Sequence, residues 1–255
     1  MSALTLSDRS IIVTGAASGI GRATAVQLAA AGAHVIVSDL NEEASTTVVE
    51  EITAAGGAAT AVIGDVSDAD VVRRLVDAAV AAAPLRGVVN NAGVMDLFAG
   101  AGDTDDATWE RCLRINLTAP FLLTRAALPS LLEHGGSIVN VASEAALRGA
   151  AAGAAYTSSK HGVIGLTKST AYRYAKEHVR CNAVLPGGVE TNIMASIDPT
   201  KIDQAGLAAL GPVHASAVRN ATSEEQAALI LFLLADEASN VSGAIIPCDA
   251  GWSAG

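Results

Sequence analysis

Basic residues are few and scattered in this sequence. Lysine and arginine together number 16 against 26 acidic residues, which gives a formal net charge of −10 at pH 7. A protein that follows a nucleic-acid backbone needs a cluster of lysine and arginine, and no such cluster is present. Nucleic acid is therefore not expected as a partner.

Cysteine is also scarce. The three cysteines, Cys112, Cys181 and Cys248, are odd in number, far apart and surrounded by apolar residues. This pattern predicts buried, reduced thiols rather than disulfides. The histidines show no metal-ligand spacing with one another or with the cysteines, so we expect no metal site. They are predicted to be surface or packing residues: His34, His134, His161, His178 and His214.

Long apolar runs are absent, although 51% of the residues are hydrophobic and only 16% are charged. Such a composition fits either a membrane protein or a large core with buried subunit contacts. The longest apolar runs, such as "AAAGAHVIV", are too short to span a bilayer. The N-terminal "MSALTLSDRS" has no apolar region typical of a secretory signal. We therefore expect no membrane span, a cytoplasmic location and a large core.

Short β-branched runs alternate with longer alanine-rich stretches of helical period. The continuously apolar strands indicate a parallel sheet with helices on both faces, and right-handed crossovers make it doubly wound. We predict a single-domain α/β fold over residues 1–255 with seven parallel strands. The strands are expected at 10–14, 34–39, 58–65, 87–93, 136–143, 179–186 and 243–249. The helices are expected at 21–32, 41–55, 67–82, 105–133, 154–176 and 223–235.

One long irregular stretch, 187–222, follows the sixth predicted strand. It lies at the carboxyl edge of the sheet, where folds of this kind bind ligands, and a long loop in a compact domain is usually functional. Most of it is apolar, with few charges. We predict a substrate lid over about 187–222 that favours an apolar alcohol.

A glycine-rich turn, "TGAASGIG" at 14–21, follows the first strand and opens the first helix. Gly15, Gly19 and Gly21 permit a tight turn and close approach of a ligand, and a helix N-terminus suits a pyrophosphate. The spacing is not the common G-x-G-x-x-G, so these glycines could instead only turn the chain. Their place in the first βα turn favours a dinucleotide site.

Asp39 ends the second predicted strand. A carboxylate there can accept hydrogen bonds from both hydroxyls of the adenosine ribose, and it would repel a 2′-phosphate. Leu40 follows instead of a basic residue, and Ser18 stands where an arginine could have bound that phosphate. We predict NAD rather than NADP as the cofactor, although Asp39 could also start a turn or cap the next helix.

Six motifs together resemble the short-chain dehydrogenase/reductase family, and the resemblance covers essentially the whole chain. They are "TGAASGIG" (14–21), "NNAG" (90–93), Asn116 in "RINLTAP", Ser143 in "IVNVAS", "YTSSK" (156–160) and "PGGVET" (186–191). The resemblance implies a Rossmann fold and hydride transfer between a nicotinamide cofactor and a small molecule.

Tyr156 and Lys160 are four residues apart and share one face of a predicted helix. An ammonium close to a phenol favours the phenolate and lowers its pKa, and a group that titrates near the working pH is an effective acid or base. A surface pair without chemistry would explain a lone Y-x-x-x-K motif, but here Ser143 and Asn116 accompany it. We therefore predict that Tyr156 is the acid/base and that Lys160 lowers its pKa.

Ser143 and Asn116 complete the predicted catalytic set. The Ser143 hydroxyl can hydrogen-bond the substrate oxygen and polarise a carbonyl, or it can cap the segment that follows. The resemblance implies that the backbone carbonyl of Asn116 holds a water that links Lys160 to solvent. A buried helix asparagine bonded to a neighbour is the alternative.

The resemblance also implies which residues contact the cofactor. Asp65 and Val66 meet the adenine ring, Val189 and Thr191 meet the nicotinamide carboxamide, and Asn90 supports the sheet. The full predicted cofactor-binding set is Gly15, Ser18, Gly19, Ile20, Gly21, Asp39, Leu40, Asp65, Val66, Asn91, Ala92, Gly93, Tyr156, Lys160, Pro186, Gly187, Val189 and Thr191.

The tail departs from the family pattern. It reads "CDAGW", with Ala250 where the family often has a glycine, and we expect this tail to lie away from the chemistry. Arg219, before the last predicted helix, is expected to serve helix or subunit packing.

These observations predict an NAD-dependent oxidoreductase that interconverts a secondary alcohol and its ketone, on an alicyclic, aromatic or steroid-like substrate. One alternative is a reductase of 3-oxoacyl groups on a carrier protein, which would want NADPH and a basic docking patch. Another is a non-catalytic NAD-binding sensor, which would have no need of the complete catalytic set. Wide apolar faces on the helices at 105–133 and 154–176 predict a homotetramer.

Overall fold

Seven parallel strands form one sheet in the computed structural model, which describes residues 4–255. The strands are β1 (Ser10–Thr14), β2 (His34–Asp39), β3 (Ala58–Ile63), β4 (Leu85–Asn90), β5 (Gly136–Val141), β6 (Val179–Pro186) and β7 (Ile245–Cys248). Their order across the sheet is β3-β2-β1-β4-β5-β6-β7. The predicted doubly wound, seven-stranded parallel sheet is therefore confirmed. Residues 1–3, which begin the polar N-terminal segment, lie outside the described residues.

Helices cover both faces of this sheet. They are α1 (Gly19–Ala30), α2 (Glu42–Ala54), α3 (Ala69–Ala82), α4 (Asp106–Leu113), α5 (Ala119–His134), α6 (Ala154–Tyr174), α7 (Gln204–Ala215) and α8 (Ser223–Leu234). Because β1 pairs with β2 on one side and with β4 on the other, the chain changes direction across the sheet at β1. A doubly wound sheet binds its ligand in the crevice at this point.

Two hydrophobic layers lie on opposite sides of the sheet. Ile11 and Val13 of β1 pack with Leu28 of α1 in one layer. Ile12, between them in the chain, packs with Leu75 of α3 and with α5 in the other layer. Successive side chains of a strand point to opposite faces, so a strand buried on both faces must be apolar throughout. This explains the continuous apolar runs in the sequence.

Several strands end earlier than predicted. β3 ends at Ile63 and β5 at Val141. The polar residues that the prediction had placed at these strand ends, Asp65 and Ser143, therefore lie in the loops just beyond them, as Asn91 does in the turn after β4. All of these loops open at the carboxyl edge of the sheet, which is where the candidate site lies.

The predicted helix at 105–133 has the correct extent but is not regular. A π-helical turn, Arg114–Thr118, separates α4 from α5, and the Ala119 N–H donates to the Arg114 carbonyl. By length and composition alone, the continuous helix over Asp106–His134 could cross a membrane, which the analysis of apolar runs had excluded. Core helices pass the same test, and Leu123 and Leu131 of α5 pack against the sheet.

The predicted lid is also more ordered than a loop. Within 187–222, the chain forms short 3₁₀ turns at Ile193–Ser196 and Pro199–Lys201 and then helix α7. Asp203 caps α7 by accepting from the Gly206 N–H. The interior proline, Pro212, obscured this helix in the sequence because proline is unfavourable beyond the first helical turn.

Some large apolar side chains of α4, α5 and α6 remain on the surface. Trp109, Phe121, Leu132 and Tyr172 are all exposed to solvent. An exposed apolar surface of this kind can pack against another subunit. The homotetramer remains a prediction.

The interior strand β5 offers a test of the core. Ile138 is fully buried, so Ile138→Ala should lower the free energy of unfolding by about 2–5 kcal/mol through lost burial and a cavity. Val80→Ala on α3 is the matched control, because Val80 is 54% exposed and should change stability by less than about 0.5 kcal/mol. Denaturant unfolding measures both, and equal losses would contradict this packing.

Candidate active site

A cavity of about 620 Å³ lies at the carboxyl edge of the sheet, beside the crevice between β1 and β4. Loops from six strands, the lid and the C-terminal tail all contribute to its wall. Every predicted catalytic and cofactor-binding residue lines the cavity except Gly21 and Asn116. Gly21 and Asn116 lie behind the wall and contact residues that line it.

The glycine-rich turn forms one end of the cavity. Gly15 and Gly19 have φ values of +63° and +52°, in the left-handed region that favours glycine. At Gly21 a Cβ atom would lie 2.0 Å from the Gly15 carbonyl oxygen and 2.6 Å from the Asn91 Nδ2 atom. The turn therefore closes on itself so tightly that only glycine fits at position 21.

The helix that follows this turn begins without a side-chain cap. Ser18 is the N-cap residue of α1, with extended backbone and no side-chain hydrogen bond to the helix. The first N–H groups of a helix have no partner within it, and they carry a partial positive charge. This open N-terminus is suited to the pyrophosphate of a dinucleotide.

Asn91 braces the glycine-rich turn from the neighbouring strand. Its Nδ2 atom donates to the carbonyl oxygens of Thr14 (2.9 Å) and Gly15 (3.2 Å). The backbone N–H groups of Asn91 and Ala92 both donate to the Thr14 hydroxyl at 3.0 Å. The Asn91 amide is thus directed at the turn, although the residue lines the cavity. Asn90 supports the sheet as predicted, because its Nδ2 atom donates to the Asn140 Oδ1 atom at 2.8 Å.

Asp39 is joined to the same turn. Its Oδ2 atom accepts from the Ala17 N–H at 3.0 Å, and its Oδ1 atom accepts from the Asn41 N–H at 3.1 Å. Helix α2 is capped by Asn41 rather than by Asp39, so the helix-cap alternative is wrong. Leu40 beside it is 69% exposed and lines the rim of the cavity.

Asp65 and Val66 lie next to Asp39 along this rim. Asp65 accepts from the backbone and hydroxyl of Ser67 and from the Arg114 guanidinium. Burial alone would raise the pKa of Asp65, but the hydrogen bonds from Ser67 and the charge of Arg114 lower it below its usual value. Asp65 is therefore a carboxylate, and Val66 beside it is buried.

Tyr156 and Lys160 lie deep in the cavity wall on α6. They are only 6% and 4% exposed. The Lys160 Nζ atom lies 5.5 Å from the centre of the Tyr156 ring and donates to the Val141 carbonyl at 2.9 Å. That bond ties the catalytic helix to the end of β5, where Ser143 follows.

Burial dominates the protonation of this pair. It raises the pKa of Tyr156 to about 12, against the effect of a hydrogen bond with Ser143, while Asp96 and Cys112 raise it further. Burial also lowers the pKa of Lys160 to about 8. Burial therefore moves the pKa of Tyr156 away from neutrality, so the phenol is protonated and is a proton donor. That Lys160 lowers this pKa remains a prediction.

The Ser143 side chain bonds the backbone and also lies beside Tyr156. Its hydroxyl accepts from the Ala145 N–H at 3.1 Å and caps the short turn Glu144–Ala146, which is the structural alternative that the sequence left open. The same hydroxyl lines the cavity beside Tyr156. The cap orients the side chain without removing it from the site.

Asn116 lies behind the cavity wall in the π-helical turn. Its side chain accepts from the Val94 N–H (2.8 Å) and donates to the Val94 carbonyl (2.9 Å) and the Ser159 hydroxyl (3.1 Å). A Cβ atom on Gly93 would lie within 3.5 Å of both Asn116 Oδ1 and Lys160 Nζ. The side chain thus matches the buried-asparagine alternative, and the water relay through its backbone remains a prediction.

The first part of the lid lies over the glycine-rich turn. Pro186, Gly187, Val189 and Thr191 line the cavity after β6. A Cβ atom on Gly19 would lie 3.1 Å from the Thr191 Cγ2 atom. This segment therefore covers the predicted cofactor end of the cavity.

The C-terminal tail closes the other end, so the prediction that it lies away from the chemistry is wrong. The Trp252 indole donates to the Val213 carbonyl (3.0 Å) and the Ser216 hydroxyl (2.9 Å) of the lid. Trp252 and His214 both line the cavity. Ala250 has a φ of +58°, the conformation for which a glycine would be favoured at this position.

Sequence analysis also missed two buried carboxylates near the catalytic pair. Glu144, directly after Ser143, is 1% exposed and forms an ion pair with Arg148, while burial raises the pKa of its carboxyl. Asp96 is also 1% exposed. The Glu144–Arg148 pair has the i, i+4 spacing of a helical ion pair, whereas Asp96 bonds the start of α6, which no spacing in the sequence reveals.

The chain matches a family profile described as enoyl-(acyl carrier protein) reductase over residues 15–253. It is similar to the short-chain dehydrogenase/reductase olcF of Penicillium canescens, with 39% identity over 97% of this chain and 98% of the relative.

The chain belongs to the short-chain dehydrogenase/reductase family.

Two further relatives illustrate the range of this family. The 3beta-hydroxysteroid dehydrogenase 2 of Eggerthella lenta is 38% identical over 98% of this chain and 96% of the relative. A solved structure from Beutenbergia cavernae, a candidate NAD(P)-dependent gluconate 5-dehydrogenase with bound NADP, is 36% identical. It has a TM-score of 0.85 and covers 98% of this chain and 99% of its own. As a short-chain dehydrogenase/reductase, the chain is an oxidoreductase that uses a nicotinamide cofactor.

The glycine-rich turn provides a test of cofactor binding. Gly21→Ala should abolish NADH binding, because the added methyl group meets the Gly15 carbonyl at 2.0 Å and the turn must open. Gly102→Ala is the control, since nothing lies within 4 Å of a Cβ atom there. NADH fluorescence titration measures both variants, and normal binding by Gly21→Ala would contradict the geometry.

Proposed function

We propose that this short-chain dehydrogenase/reductase interconverts a secondary alcohol and its ketone, with NAD as the cofactor. The observation that carries the proposal is the arrangement of one cavity. A glycine-rich helix N-terminus forms one end of it, and the buried pair Tyr156 and Lys160 lies in its wall beside Ser143.

The chain's own residues hold the substrate oxygen and move one proton. Ser143 and Tyr156 both line the cavity, and their hydroxyls can donate to the carbonyl oxygen of a ketone. Tyr156 then gives its proton to that oxygen as the alcohol forms, which suits a phenol whose pKa is about 12. A bound nicotinamide supplies the hydride.

The reverse direction requires the phenol to lose its proton. Lys160 carries a positive charge below a pKa of about 8, and a nearby positive charge favours the phenolate. Its bond to the Val141 carbonyl holds the ammonium beside the ring. Lys160 thus supports alcohol oxidation without itself touching the substrate oxygen.

Three features support NAD over NADP. Asp39 places a carboxylate beside the glycine-rich turn, where it would repel a 2′-phosphate. Leu40 and Ser18 stand at the rim of the cavity where a basic side chain would bind that phosphate. The Beutenbergia cavernae relative holds NADP, so the preference depends on these residues of this chain and not on the fold.

The double substitution Asp39→Ser with Leu40→Arg should reverse the cofactor preference. It removes the repelling carboxylate and adds a guanidinium for the 2′-phosphate. We expect the ratio of kcat/KM for NAD to that for NADP to fall at least about 100-fold, which corresponds to about 2.7 kcal/mol. Leu40→Met is the control and should leave the ratio unchanged. A wild type that prefers NADP would refute the assignment.

An apolar substrate fits the part of the cavity beyond the catalytic pair. Met95 and Phe98 from the loop after β4 and Ile193 and Met194 from the lid line it. The Eggerthella lenta relative is named for a hydroxysteroid, which agrees with an alicyclic substrate, whereas the Beutenbergia cavernae relative is named for a sugar acid. We propose an alicyclic, aromatic or steroid-like alcohol.

Reduction of a carrier-bound 3-oxoacyl group is the second candidate, because the matched family profile is described as an enoyl-(acyl carrier protein) reductase, a name that shares the carrier although not the reduced bond. Such a reaction requires docking of an acidic carrier protein, and the net charge of −10 opposes it. Faster turnover of a 3-oxoacyl thioester with NADPH than of any cyclic ketone with NADH would favour this candidate.

Tyr156→Phe tests the chemical step. The variant keeps the ring but has no proton to exchange, so kcat should fall about 10²- to 10⁴-fold while NADH binding is retained. Tyr172→Phe is the matched control, because Tyr172 is 91% exposed and should keep full activity. Rates with NAD over a panel of cyclic, aryl and steroid alcohols measure both. Unchanged turnover by Tyr156→Phe would exclude the phenol as the acid/base. A wild type that oxidises no alcohol of the panel would favour the non-catalytic NAD-binding sensor.

A further inference from the structure

The catalytic helix α6 begins without a cap of its own. Its N-cap residue is Gly153, which has no side chain to bond the first turn. The N–H groups of a first helical turn have no intrahelical partner, and a buried N–H without a partner is costly. Tyr156 lies in this first turn, so its backbone N–H needs an acceptor from elsewhere in the chain.

Asp96, in the loop after β4, supplies that acceptor. Its Oδ2 atom accepts from the Tyr156 N–H at 2.9 Å, and its Oδ1 atom accepts from the N–H groups of Gly153 (3.2 Å) and Phe98 (3.0 Å). The carboxylate is therefore fixed between its own loop and the start of α6. Asp96 is 1% exposed, so water does not compete for these bonds.

The packing around Gly153 explains why the cap comes from another element. A Cβ atom at Gly153 would lie 2.6 Å from the Asp96 Oδ2 atom and 2.8 Å from the Ala99 carbonyl oxygen. The Ala154 N–H donates to that same carbonyl at 2.9 Å. The loop that carries Asp96 leaves no room for a side chain at position 153. The same loop therefore excludes a local cap and supplies the Asp96 carboxylate in its place.

We propose that Asp96 is a positioning residue that holds the first turn of α6, and hence the Tyr156 phenol, and that its buried negative charge opposes ionisation of this phenol. The proposal deepens the proposed function, on which it rests, because it treats Tyr156 as the acid/base. Alcohol oxidation needs the phenolate and ketone reduction needs the phenol. The Asp96 charge therefore raises the pH at which alcohol oxidation sets in.

Several other groups act on the same phenol. Lys160 of α6 lies beside the ring, Ser143 after β5 favours the phenolate, and Asp96 and Cys112 of α4 raise the pKa of Tyr156. Arg111 of α4 bonds the Met95 and Ser196 carbonyls near Asp96. Replacement of Asp96 alone leaves the charges of these groups unchanged, so a shift of the pH profile is assigned to its carboxylate and a loss of kcat to displacement of the phenol.

The test compares Asp96→Asn and Asp96→Ser with the wild type in NAD-dependent alcohol oxidation over a range of pH. The pH at which oxidation reaches half its maximum should fall by roughly half a unit or more, because a repelling charge has been removed. kcat should fall about 10- to 100-fold, because the phenol is less well held, and the KM for NAD should stay unchanged. An unshifted pH profile in both variants would overturn the proposal.

Asp68→Asn is the matched control. Asp68 is the N-cap residue of α3 and accepts from the Asp70 N–H at 2.8 Å, but it lies on a helix that carries no catalytic residue. Asparagine caps a helix about as well as aspartate, so this substitution removes a cap charge with little change in stability, and it should leave the pH profile unchanged. An equal shift of the pH profile in Asp68→Asn would mean that loss of any helix-cap charge produces the effect, and would also overturn the proposal.

Two measurements keep the proposal testable if turnover or folding fails. Tyrosinate can be followed by its ultraviolet absorbance. The difference in this absorbance between each protein and its Tyr156→Phe counterpart reports the ionisation of Tyr156, and the measurement needs no alcohol. If no alcohol is oxidised, the proposed function fails, but this titration should still move to lower pH in Asp96→Asn. If both variants unfold, hydrogen exchange of the wild type decides: the amides of Gly153 and Tyr156 should be protected, and fast exchange would overturn the proposal.

Discussion

Parallel pairing of β1 with both β2 and β4 is the constraint on which the site depends. It brings the ends of these strands together at one edge, and residues distant in sequence then share one cavity. Thr14 at the end of β1 accepts from Asn91 and Ala92 after β4, and Asp39 at the end of β2 accepts from Ala17 of the turn. These bonds join three strand ends into one rigid support.

Backbone groups satisfy most of the polar side chains buried around this support. Lys160 donates to the Val141 carbonyl, Asn116 exchanges two hydrogen bonds with the backbone of Val94, and Asp96 accepts only from backbone N–H groups. A buried polar group is costly unless it is bonded. The cavity wall can thus bury polar side chains, because strand ends and loops provide backbone donors and acceptors.

The sequence was sufficient to predict the sheet and to identify the residues at its carboxyl edge, because both leave local signals in the sequence. Apolar runs indicate buried strands, and glycine, aspartate or serine follows where a strand ends. It was not sufficient for the contacts between loops. The Asn91 amide bonds the glycine-rich turn, the tail returns to the lid through Trp252, and Asp96 caps a helix that begins far along the chain. Each depends on tertiary approach, which no spacing reveals.

The burial of the catalytic pair was missed for the same reason. The spacing of Tyr156 and Lys160 indicates that they are neighbours, but it says nothing about how much water surrounds them. In the folded chain both are almost fully buried, and this burial raises the pKa of Tyr156. The π-helical turn at Asn116 was missed because an irregular hydrogen bond leaves no trace in composition.

The two covers of the cavity are anchored independently. Thr191 lies against the glycine-rich turn, whereas α7 is fastened through Trp252 and through the His214 ring to the Ala151 carbonyl. Detachment of α7 would open the end of the cavity at Trp252 and leave the end at the glycine-rich turn closed. Substrate and nicotinamide cofactor would then enter and leave by separate openings, each at its own rate.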